Sequence, residues 1–271
     1  MIRPARVAAA AITLLAATAA CRDDGGRTEL IVFAASSLAD VFGALEVPFE
    51  RTVAADPGGV DVVLHLAGSQ ALRLQVEQGA PADVVATADT LHMQALEAGG
   101  HVAPGWRTFA TNEVVAVAPA GSPVDTFEGL LQARRVVVGA PETPIGRYTE
   151  ALLDRAGERL GAGFAQGVRD RVVSREANVR LVLSKVALGE ADAAFVYRTD
   201  AASGAGARGP GVRVLEPPAG CSPRAALAIA PVRGSARPDL AARWIAWVLG
   251  PDGRAALALH GFGPPDTATT P

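Results

Sequence analysis

Short apolar runs alternate along the chain with segments whose apolar residues recur at helical spacing. Runs of this kind are typical of strands that are buried on both faces of a sheet. Strands that alternate with helices favour an α/β fold in which mostly parallel sheets are flanked by helices. The apolar runs predict strands at residues 30–33, 60–66, 84–85, 114–118, 136–138, 193–196 and 226–230. The helical spacing predicts helices at residues 38–50, 70–78, 90–98, 147–160, 176–189 and 237–249.

Two of the predicted strands end in the same way. N-E-V-V-A-V-A-P at residues 112–119 and A-A-L-A-I-A-P at residues 225–231 both finish in Ala-Pro. Each could connect two lobes, with the first strand leading the chain into the second lobe and the second strand leading it back. A single larger sheet fits the same spacing nearly as well.

The first twenty residues have the pattern of an export signal. Two arginines precede an apolar stretch of about 14 residues that ends in small residues, as in a secretory signal peptide. Cys21 follows this stretch, which resembles a bacterial lipoprotein signal, although Thr18 stands where such signals more often carry Leu. We therefore expect residues 1–20 to be removed, Cys21 to be lipidated, and residues 21–28 to serve as anchor and tether. Export with a free Cys21 is the alternative.

The composition excludes several classes of protein. With 271 residues, of which 49% are hydrophobic and 20% charged, the chain can build one large domain or two lobes around a substantial core. Removal of residues 1–20 leaves 23 basic and 28 acidic residues, a net charge of about −5. No basic run with interleaved aromatic residues is present, so binding to nucleic acid is not expected. If Cys21 is lipidated, Cys221 lacks a partner, and we expect an unreactive thiol that is half-buried or lies in a loop.

Signatures of the common enzyme classes are missing from the sequence. It contains no H-E-x-x-H, no G-x-S-x-G, no phosphate-binding P-loop, and no G-x-G-x-x-G following a strand. We therefore expect neither a catalytic site nor a metal that side chains bind directly. The four histidines, none of which has the spacing of metal ligands, are His65, His92, His101 and His260.

Small residues and serine join a strand to a helix at two places, A-A-S-S-L at residues 34–38 and A-G-S-Q-A-L at residues 67–72. At such junctions the first N–H groups of the helix have no partner within it, and with the helix dipole they favour an anion. The alternative is that Ser37 caps its helix, with Asp40 completing a capping box. Two such junctions at the carboxyl ends of neighbouring parallel strands can face one spot. The pair therefore favours a neutral site for a small dianion.

Six motifs occur in order along the chain. They are A-A-S-S-L, A-G-S-Q-A-L, G-A-P-A-D-V at 79–84, T-P-I-G-R-Y at 143–148, N-V-R at 178–180 and V-Y-R-T-D-A at 196–201. Together, over residues 29–262, they resemble the periplasmic molybdate-binding proteins of ABC importers. The resemblance implies a type II periplasmic-binding-protein fold, whose two lobes close over a tetrahedral oxyanion. Each lobe would be a mostly parallel sheet flanked by helices, and two crossover strands would join lobe 1 (28–111 and 224–271) to lobe 2 (112–223).

The resemblance also implies which residues hold the anion. The hydroxyl donors would be Ser37, Ser69 and Tyr197, and the backbone N–H donors would be Ile145 and Val179. The family more often has a smaller residue at the position of Ile145, but a backbone donor tolerates the change. All five would contact the oxygens of molybdate, with no protein ligand to the metal and no cofactor. From the residues alone, Val179 also fits a core position, and Tyr197 fits a core tyrosine bonded to a backbone carbonyl.

The candidate donors include no carboxylate, and this bears on the ligand. Phosphate keeps a proton near neutral pH and benefits from an acceptor such as Asp, whereas molybdate, tungstate and sulfate need only donors. We expect Asp83 and Asp200 to hold loops or helix starts, because their charge would repel an anion. The resemblance makes molybdate the expected ligand, together with tungstate, and leaves sulfate as an alternative.

The resemblance implies transport without a chemical step. The exported chain, a monomer held at the membrane only by its lipid, would deliver the anion to an ABC permease that a cytoplasmic ATPase drives. A sensor that signals anion-bound closure to a membrane partner is one alternative. An enzyme on the same scaffold is the other, since a fold does not fix a function.

Overall fold

A computed structural model of the chain describes residues 26–56, 58–204 and 211–266. Within these ranges nine strands form one mixed sheet flanked by nine α-helices. The strands are β1 (Thr28–Ala35), β2 (Val60–Ala67), β3 (Val84–Thr87), β4 (Arg107–Pro119), β5 (Val136–Gly139), β6 (Val172–Glu176), β7 (Ala193–Tyr197), β8 (Val212–Leu215) and β9 (Arg224–Pro231). The helices are α1 (Ala39–Thr52), α2 (Ser69–Glu77), α3 (Thr90–Ala98), α4 (Pro144–Leu160), α5 (Ala162–Arg169), α6 (Val179–Ala187), α7 (Arg198–Gly204), α8 (Pro238–Leu249) and α9 (Pro251–Leu259).

The sheet has parallel strands in its outer parts and antiparallel strands where these parts meet. Its order is β2-β1-β3-β9-β4-β7-β5-β6, with β8 paired to β4. β1 runs parallel to β2 and β3, and β5 runs parallel to β6 and β7. The pairs β3–β9, β9–β4, β4–β7 and β4–β8 are antiparallel. The expected α/β class with helix-flanked sheets is confirmed.

β4 belongs to both parts of the sheet. From Arg107 to Glu113 it pairs with β9, and from Val114 onward it pairs with β7 and β8. The chain returns from β8 to the first part of the sheet through β9, which lies antiparallel to β4. The two strands that end in Ala-Pro are therefore neighbours, and both lie where the two parts of the sheet meet.

Each of the seven strands and six helices that the periodicity predicts is present. Their bounds differ from the predicted ones by at most three residues, except that β4 begins seven residues earlier. The periodicity missed β6 and β8, which are short and largely half-exposed. Strands of this kind need no continuous apolar run, so they give little signal. It also missed α5, α7 and α9. α6 begins later than predicted, because the side chain of Asn178 caps it by accepting a hydrogen bond from the N–H of Leu181 at 3.1 Å.

An aromatic cluster packs α1 against α8. Trp244 is fully buried, and its ring meets those of Phe42 and Phe49 edge-on, with centroids 5.6 and 5.1 Å away. Edge-to-face pairs at such distances add stabilisation beyond the area that they bury. The cluster therefore fixes the helix that follows Ser37 and, with it, the end of β1.

None of the helices in the described ranges combines the length and the apolar character that a membrane crossing requires. The predicted signal peptide at residues 1–20 and the lipidation site at Cys21 lie outside those ranges. Cys221 lies in the loop between β8 and β9, as one of the two expectations had it, and it is buried because the core packs around it. It forms no disulfide with a described residue.

Trp244→Ala should lower the free energy of unfolding by about 3–5 kcal/mol, because it leaves a cavity between α1 and α8. Urea unfolding measures this loss. Leu259→Ala is the matched control, since that side chain is 85% exposed, and it should change stability by less than about 0.5 kcal/mol. Similar losses in the two variants would contradict the packing described here.

Candidate functional site

One small cavity lies where the parallel strands end at their carboxyl termini. Its volume is about 20 Å³, far below the roughly 300–1,000 Å³ that is typical of pockets for drug-sized ligands. A ligand that fits inside must therefore be of the size of an inorganic ion. All five residues assigned from the sequence line this cavity. The complete lining is Ala35, Ser36, Ser37, Ala67, Gly68, Ser69, Ala88, Thr143, Pro144, Ile145, Asn178, Val179 and Tyr197.

Ser37 reaches the cavity from the junction of β1 and α1. It lies in the 3₁₀ turn Ser36–Leu38 and is 4% exposed. Its hydroxyl caps neither this turn nor α1, and it has no hydrogen-bond partner among the described residues. The capping box that the sequence allowed is absent, and Asp40 forms an ion pair with Arg180 instead. The hydroxyl of Ser37 is therefore available to a ligand.

Ser69 is the first residue of α2 and is almost fully buried. Its Oγ accepts a hydrogen bond from the backbone N–H of Ala88 at 3.0 Å. Because this bond uses the oxygen as an acceptor, the hydroxyl proton is still free to be donated. Ala88 follows β3, so the same bond ties the start of α2 to the end of that strand.

Ile145 lies in the first turn of α4. Pro144 precedes it at the helix start, and Thr143 caps the helix by accepting a hydrogen bond from the N–H of Gly146 at 2.9 Å. The N–H of Ile145 has no carbonyl partner within the helix. The turn packs tightly on the end of β5, where a Cβ at Gly146 would overlap the carbonyl group of Ala140. Each residue of T-P-I-G thus has one role. Thr143 caps the helix, Pro144 begins it, Ile145 offers a backbone N–H, and Gly146 permits the close approach to Ala140.

Val179 opens α6 directly after its cap, Asn178. Its side chain is buried in the core, whereas its backbone N–H is one of the first in the helix and has no intrahelical partner. The core position and the donor role that the sequence left as alternatives are therefore compatible.

Tyr197 ends β7, and its ring is 2% exposed. Its hydroxyl makes no hydrogen bond to any described residue, so the backbone carbonyl that the sequence allowed as a partner is not there. Burial raises the pKa of Tyr197 well above its usual value, and the nearby Tyr148, Asp89 and Asp200 raise it further. The phenol therefore stays protonated and can donate a hydrogen bond.

The cavity offers hydrogen-bond donors without a net charge. None of the described residues that line it is acidic or basic. The starts of α2, α4 and α6 meet there, and the positive ends of helix dipoles stabilise negative charge. A set of donors without a carboxylate suits a small anion that carries no proton.

Contacts across the cavity join the two parts of the chain. Gln70 of α2 donates from its Nε2 to the carbonyl oxygen of Ala177 at 2.7 Å. A Cβ on Gly68 would overlap this same carbonyl oxygen. The two segments therefore approach one another as closely as glycine permits.

Charged residues beside the cavity were missed by sequence reasoning. Arg147 pairs with Asp89 and Arg180 with Asp40, across 58 and 140 residues of sequence. The sequence did contain a signal for these ion pairs. An arginine stands shortly after each proposed backbone donor, in T-P-I-G-R-Y and in N-V-R.

Asp83 and Asp200 lie away from the cavity lining, as expected. Asp83 accepts hydrogen bonds from the N–H of Ile31 at 2.8 Å and from the hydroxyl of Ser235 at 2.6 Å. Asp200 lies in the first turn of α7, fully buried, with the Nε of Arg180 2.8 Å from its Oδ1. Burial raises the pKa of Asp200 to about 7, because it outweighs the attraction of Arg180.

Comparison with known proteins identifies the family. A family model described as a bacterial extracellular solute-binding protein matches residues 30–263. The chain belongs to this family. Its description is that of a binding protein and not of an enzyme, and the family resemblance carried by the six motifs is confirmed.

Individual relatives agree with this assignment. The molybdate-binding protein ModA of Mycobacterium tuberculosis is 36% identical over 243 residues, which cover 89% of this chain and 86% of that protein. The periplasmic molybdate-binding protein of Azotobacter vinelandii is 23% identical with a TM-score of 0.72, covering 88% of this chain and 100% of that chain. The sulfate-binding protein SubI of Mycobacterium tuberculosis is 20% identical with a TM-score of 0.78, and the match covers 89% of this chain and 88% of that chain. The two structures confirm the periplasmic-binding-protein fold.

Asp200→Asn should remove part of the pH dependence of stability. The pKa of this carboxyl is about 7 in the folded chain, against an ordinary value of 3.8. Between these values the folded state binds more protons than the unfolded state, so stability falls as pH rises, and the loss is complete above about pH 7. Urea unfolding between about pH 4 and pH 8 should show a smaller fall in Asp200→Asn than in the wild type.

The matched control is Asp125→Asn, at an exposed carboxyl, which should keep the wild-type dependence. If the free energy of unfolding falls by the same amount between about pH 4 and pH 8 in both variants, a raised pKa at Asp200 is contradicted.

Proposed function

We propose that the chain is an extracytoplasmic binding protein that captures molybdate and delivers it to an ABC importer. The hydroxyls of Ser37, Ser69 and Tyr197 donate hydrogen bonds to the oxygens of the anion. The backbone N–H groups of Ile145 and Val179 complete the set. The metal centre receives no protein ligand, because every contact is made through oxygen.

The hydroxyls of Ser37 and Tyr197 carry the proposal. Both groups are buried, both residues line the same cavity, and neither hydroxyl has a partner among the described residues. A buried polar group without a hydrogen bond costs about 1–3 kcal/mol. Two of them in one small cavity therefore favour a shared acceptor, and an oxyanion presents an acceptor oxygen to each.

The neutral lining favours a fully deprotonated anion. A dianion gains from uncharged donors and helix starts, because it loses its water on entry and needs them as replacements. A protonated phosphate would place its O–H against donors, with no carboxylate in the lining to accept it. The site therefore favours molybdate, tungstate or sulfate over phosphate.

Molybdate is preferred within this group because of the sequence relationship. The relative at 36% identity is a molybdate-binding protein. The similarity to the sulfate-binding SubI, at 20% identity, supports the fold alone, and it makes sulfate the alternative ligand. Tungstate resembles molybdate in charge and shape, and we expect it to bind as well.

Binding is coupled to closure of two lobes, residues 28–111 with 224–271 and residues 112–223. Ser37 and Ser69 belong to the first lobe, and the other three donors belong to the second. Because only the closed form makes all contacts, the anion shifts the population towards it. β4 and β9, which lie where the lobes meet, are the crossover strands. The closed monomer then docks on a membrane permease that an ATPase drives.

The N-terminal sequence supports a site of action outside the cytoplasm, at the membrane surface. The pattern of residues 1–20 is that of an export signal, and Cys21 stands where a lipoprotein signal is cleaved. A lipid anchor at Cys21 would hold the chain near the permease and raise its local concentration there.

Calorimetric titration of the chain from residue 22 onward tests the function. We expect tight binding of molybdate and tungstate and none of sulfate or phosphate. Ser37→Ala and Tyr197→Phe should each weaken molybdate binding at least about tenfold, because a hydrogen bond to a charged group contributes about 1.5–3 kcal/mol.

The matched control is Ser184→Ala. The hydroxyl of Ser184 donates to the carbonyl oxygen of Leu181 at 2.8 Å within α6, and Ser184 does not line the cavity. This variant should keep the wild-type affinity. No binding of any of the four anions, or equal losses in Ser37→Ala and Ser184→Ala, would contradict the proposal.

Gly68→Ala should weaken molybdate binding at least about tenfold without lowering the temperature of unfolding. Its φ of −68° and ψ of 143° suit alanine, but the new Cβ would overlap the carbonyl oxygen of Ala177 in the other lobe and hinder closure. Gly43→Ala is the control, because no atom lies within 4 Å of its added Cβ. Wild-type affinity in Gly68→Ala would show that binding does not require this close approach.

A further inference from the structure

Two arginines stand in unfavourable positions next to the proposed backbone donors. Arg147 lies in the first turn of α4, two residues after Ile145, and Arg180 is the second residue of α6, directly after Val179. A cation at a helix start is disfavoured by the helix dipole. Neither arginine lines the cavity. Some other contact must therefore account for these two positions.

Each arginine reaches an aspartate of the other proposed lobe. Arg147 pairs with Asp89, which caps α3, and Arg180 pairs with Asp40 in the first turn of α1. Both aspartates stand at helix starts, where a negative charge is favoured. The two ion pairs thus join helix starts of lobe 2 to helix starts of lobe 1.

Asp89 is held in place by contacts within its own lobe. It is 3% exposed, and its Oδ1 accepts a hydrogen bond from the N–H of His92 at 3.0 Å and lies 2.9 Å from the Nδ1 of that residue. Burial by itself would raise the pKa of Asp89, but the contacts with His92 and Arg147 lower it, so the carboxylate is charged. Arg147 also donates to the carbonyl oxygen of Glu142 at 2.7 Å, which fixes it to the loop before α4.

Arg180 is held by two carboxylates, one from each lobe. Its Nη2 contacts Asp40, and its Nε lies 2.8 Å from the buried Asp200. α1 follows Ser37, and α6 begins at Val179. The ion pair between Arg180 and Asp40 therefore sets the distance between two proposed donors, the hydroxyl of Ser37 in lobe 1 and the backbone N–H of Val179 in lobe 2.

We propose that Arg147 and Arg180 are positioning residues that clamp lobe 2 on lobe 1 and hold Ile145 and Val179 against the bound anion. This inference rests on the anion site proposed above. The aspartates neutralise the arginines, so the anion itself is still held by uncharged donors. Because the ion pairs form only when the lobes meet, they stabilise the closed form and slow release of the anion.

Two measurements on Arg147→Gln and Arg180→Gln test the clamp. Stopped-flow displacement of molybdate by tungstate should show release at least about tenfold faster in Arg147→Gln, because the side chain of its partner Asp89 is 4% exposed and truncating one partner of a buried pair acts mainly on dissociation. Release should be several-fold faster in Arg180→Gln, whose partner Asp40 is more exposed. X-ray scattering without any anion should show a larger radius of gyration than in the wild type. Association rates should change much less than release rates, which a general loss of structure would not produce.

Two further variants control for effects on folding. Arg169→Gln removes ion pairs to Glu150 and Asp154, which lie within lobe 2, and it should leave release rate and radius unchanged. Asp40→Asn removes the clamp from the other side at a carboxylate that is 45% exposed, so it should fold normally and still release the anion several-fold faster.

The outcomes separate the clamp from the proposed function. Wild-type release rates and radii in Arg147→Gln, Arg180→Gln and Asp40→Asn would overturn the clamp. If the wild type binds no oxyanion, the proposed function fails, but X-ray scattering without anion still tests the clamp. A larger radius of gyration in the variants than in the wild type then supports the clamp, and an unchanged radius of gyration overturns it.

Discussion

The two parts of the chain meet around buried hydroxyls that need an acceptor. Ser37 and Tyr197 lie at the ends of strands in different parts of the sheet, and neither hydroxyl has a partner among the described residues. Protein interiors seldom leave such groups unpaired, because the loss of their hydrogen bonds to water is not compensated. In the function proposed here, an anion between the two parts of the chain supplies the missing acceptor. On that proposal, binding of the anion and closure of the two lobes are one event.

The fold supplies the remaining donors through its strand-to-helix connections. Parallel strands end on the same edge of each half of the sheet, and each connection there opens into a helix whose first N–H groups are unpaired. The caps Thr143 and Asn178 fix the starts of α4 and α6. Gly68 and Gly146 permit close backbone approach. The lining of the proposed dianion site thus contains no lysine or arginine among the described residues, and the nearby Arg147 and Arg180 pair with aspartates instead.

Local features of the sequence predicted much of this arrangement. Continuous apolar runs marked the buried strands, and serine after small residues marked the junctions at Ser37 and Ser69, because both features depend on a few adjacent residues. Other features depend on tertiary contacts that local spacing does not contain. Ser37 does not cap α1, because it lies in the 3₁₀ turn that precedes this helix and Leu38 occupies the N-cap position. Asp40 pairs with Arg180, 140 residues away, and the pairing of Arg147 with Asp89 likewise requires the two parts of the chain to meet. β6, an edge strand, lacks a continuous apolar run because it is half-exposed.

A crystal structure of the chain grown with molybdate, with data collected at the molybdenum absorption edge, would test the central claim most directly. The account predicts one strong anomalous peak in the cavity between the lobes, surrounded by oxygens within hydrogen-bonding distance of Ser37, Ser69 and Tyr197 and of the N–H groups of Ile145 and Val179. No carboxylate should contact the anion. A peak elsewhere on the chain, or an anion held by charged side chains with Ser37 and Tyr197 still unpaired, would contradict the account.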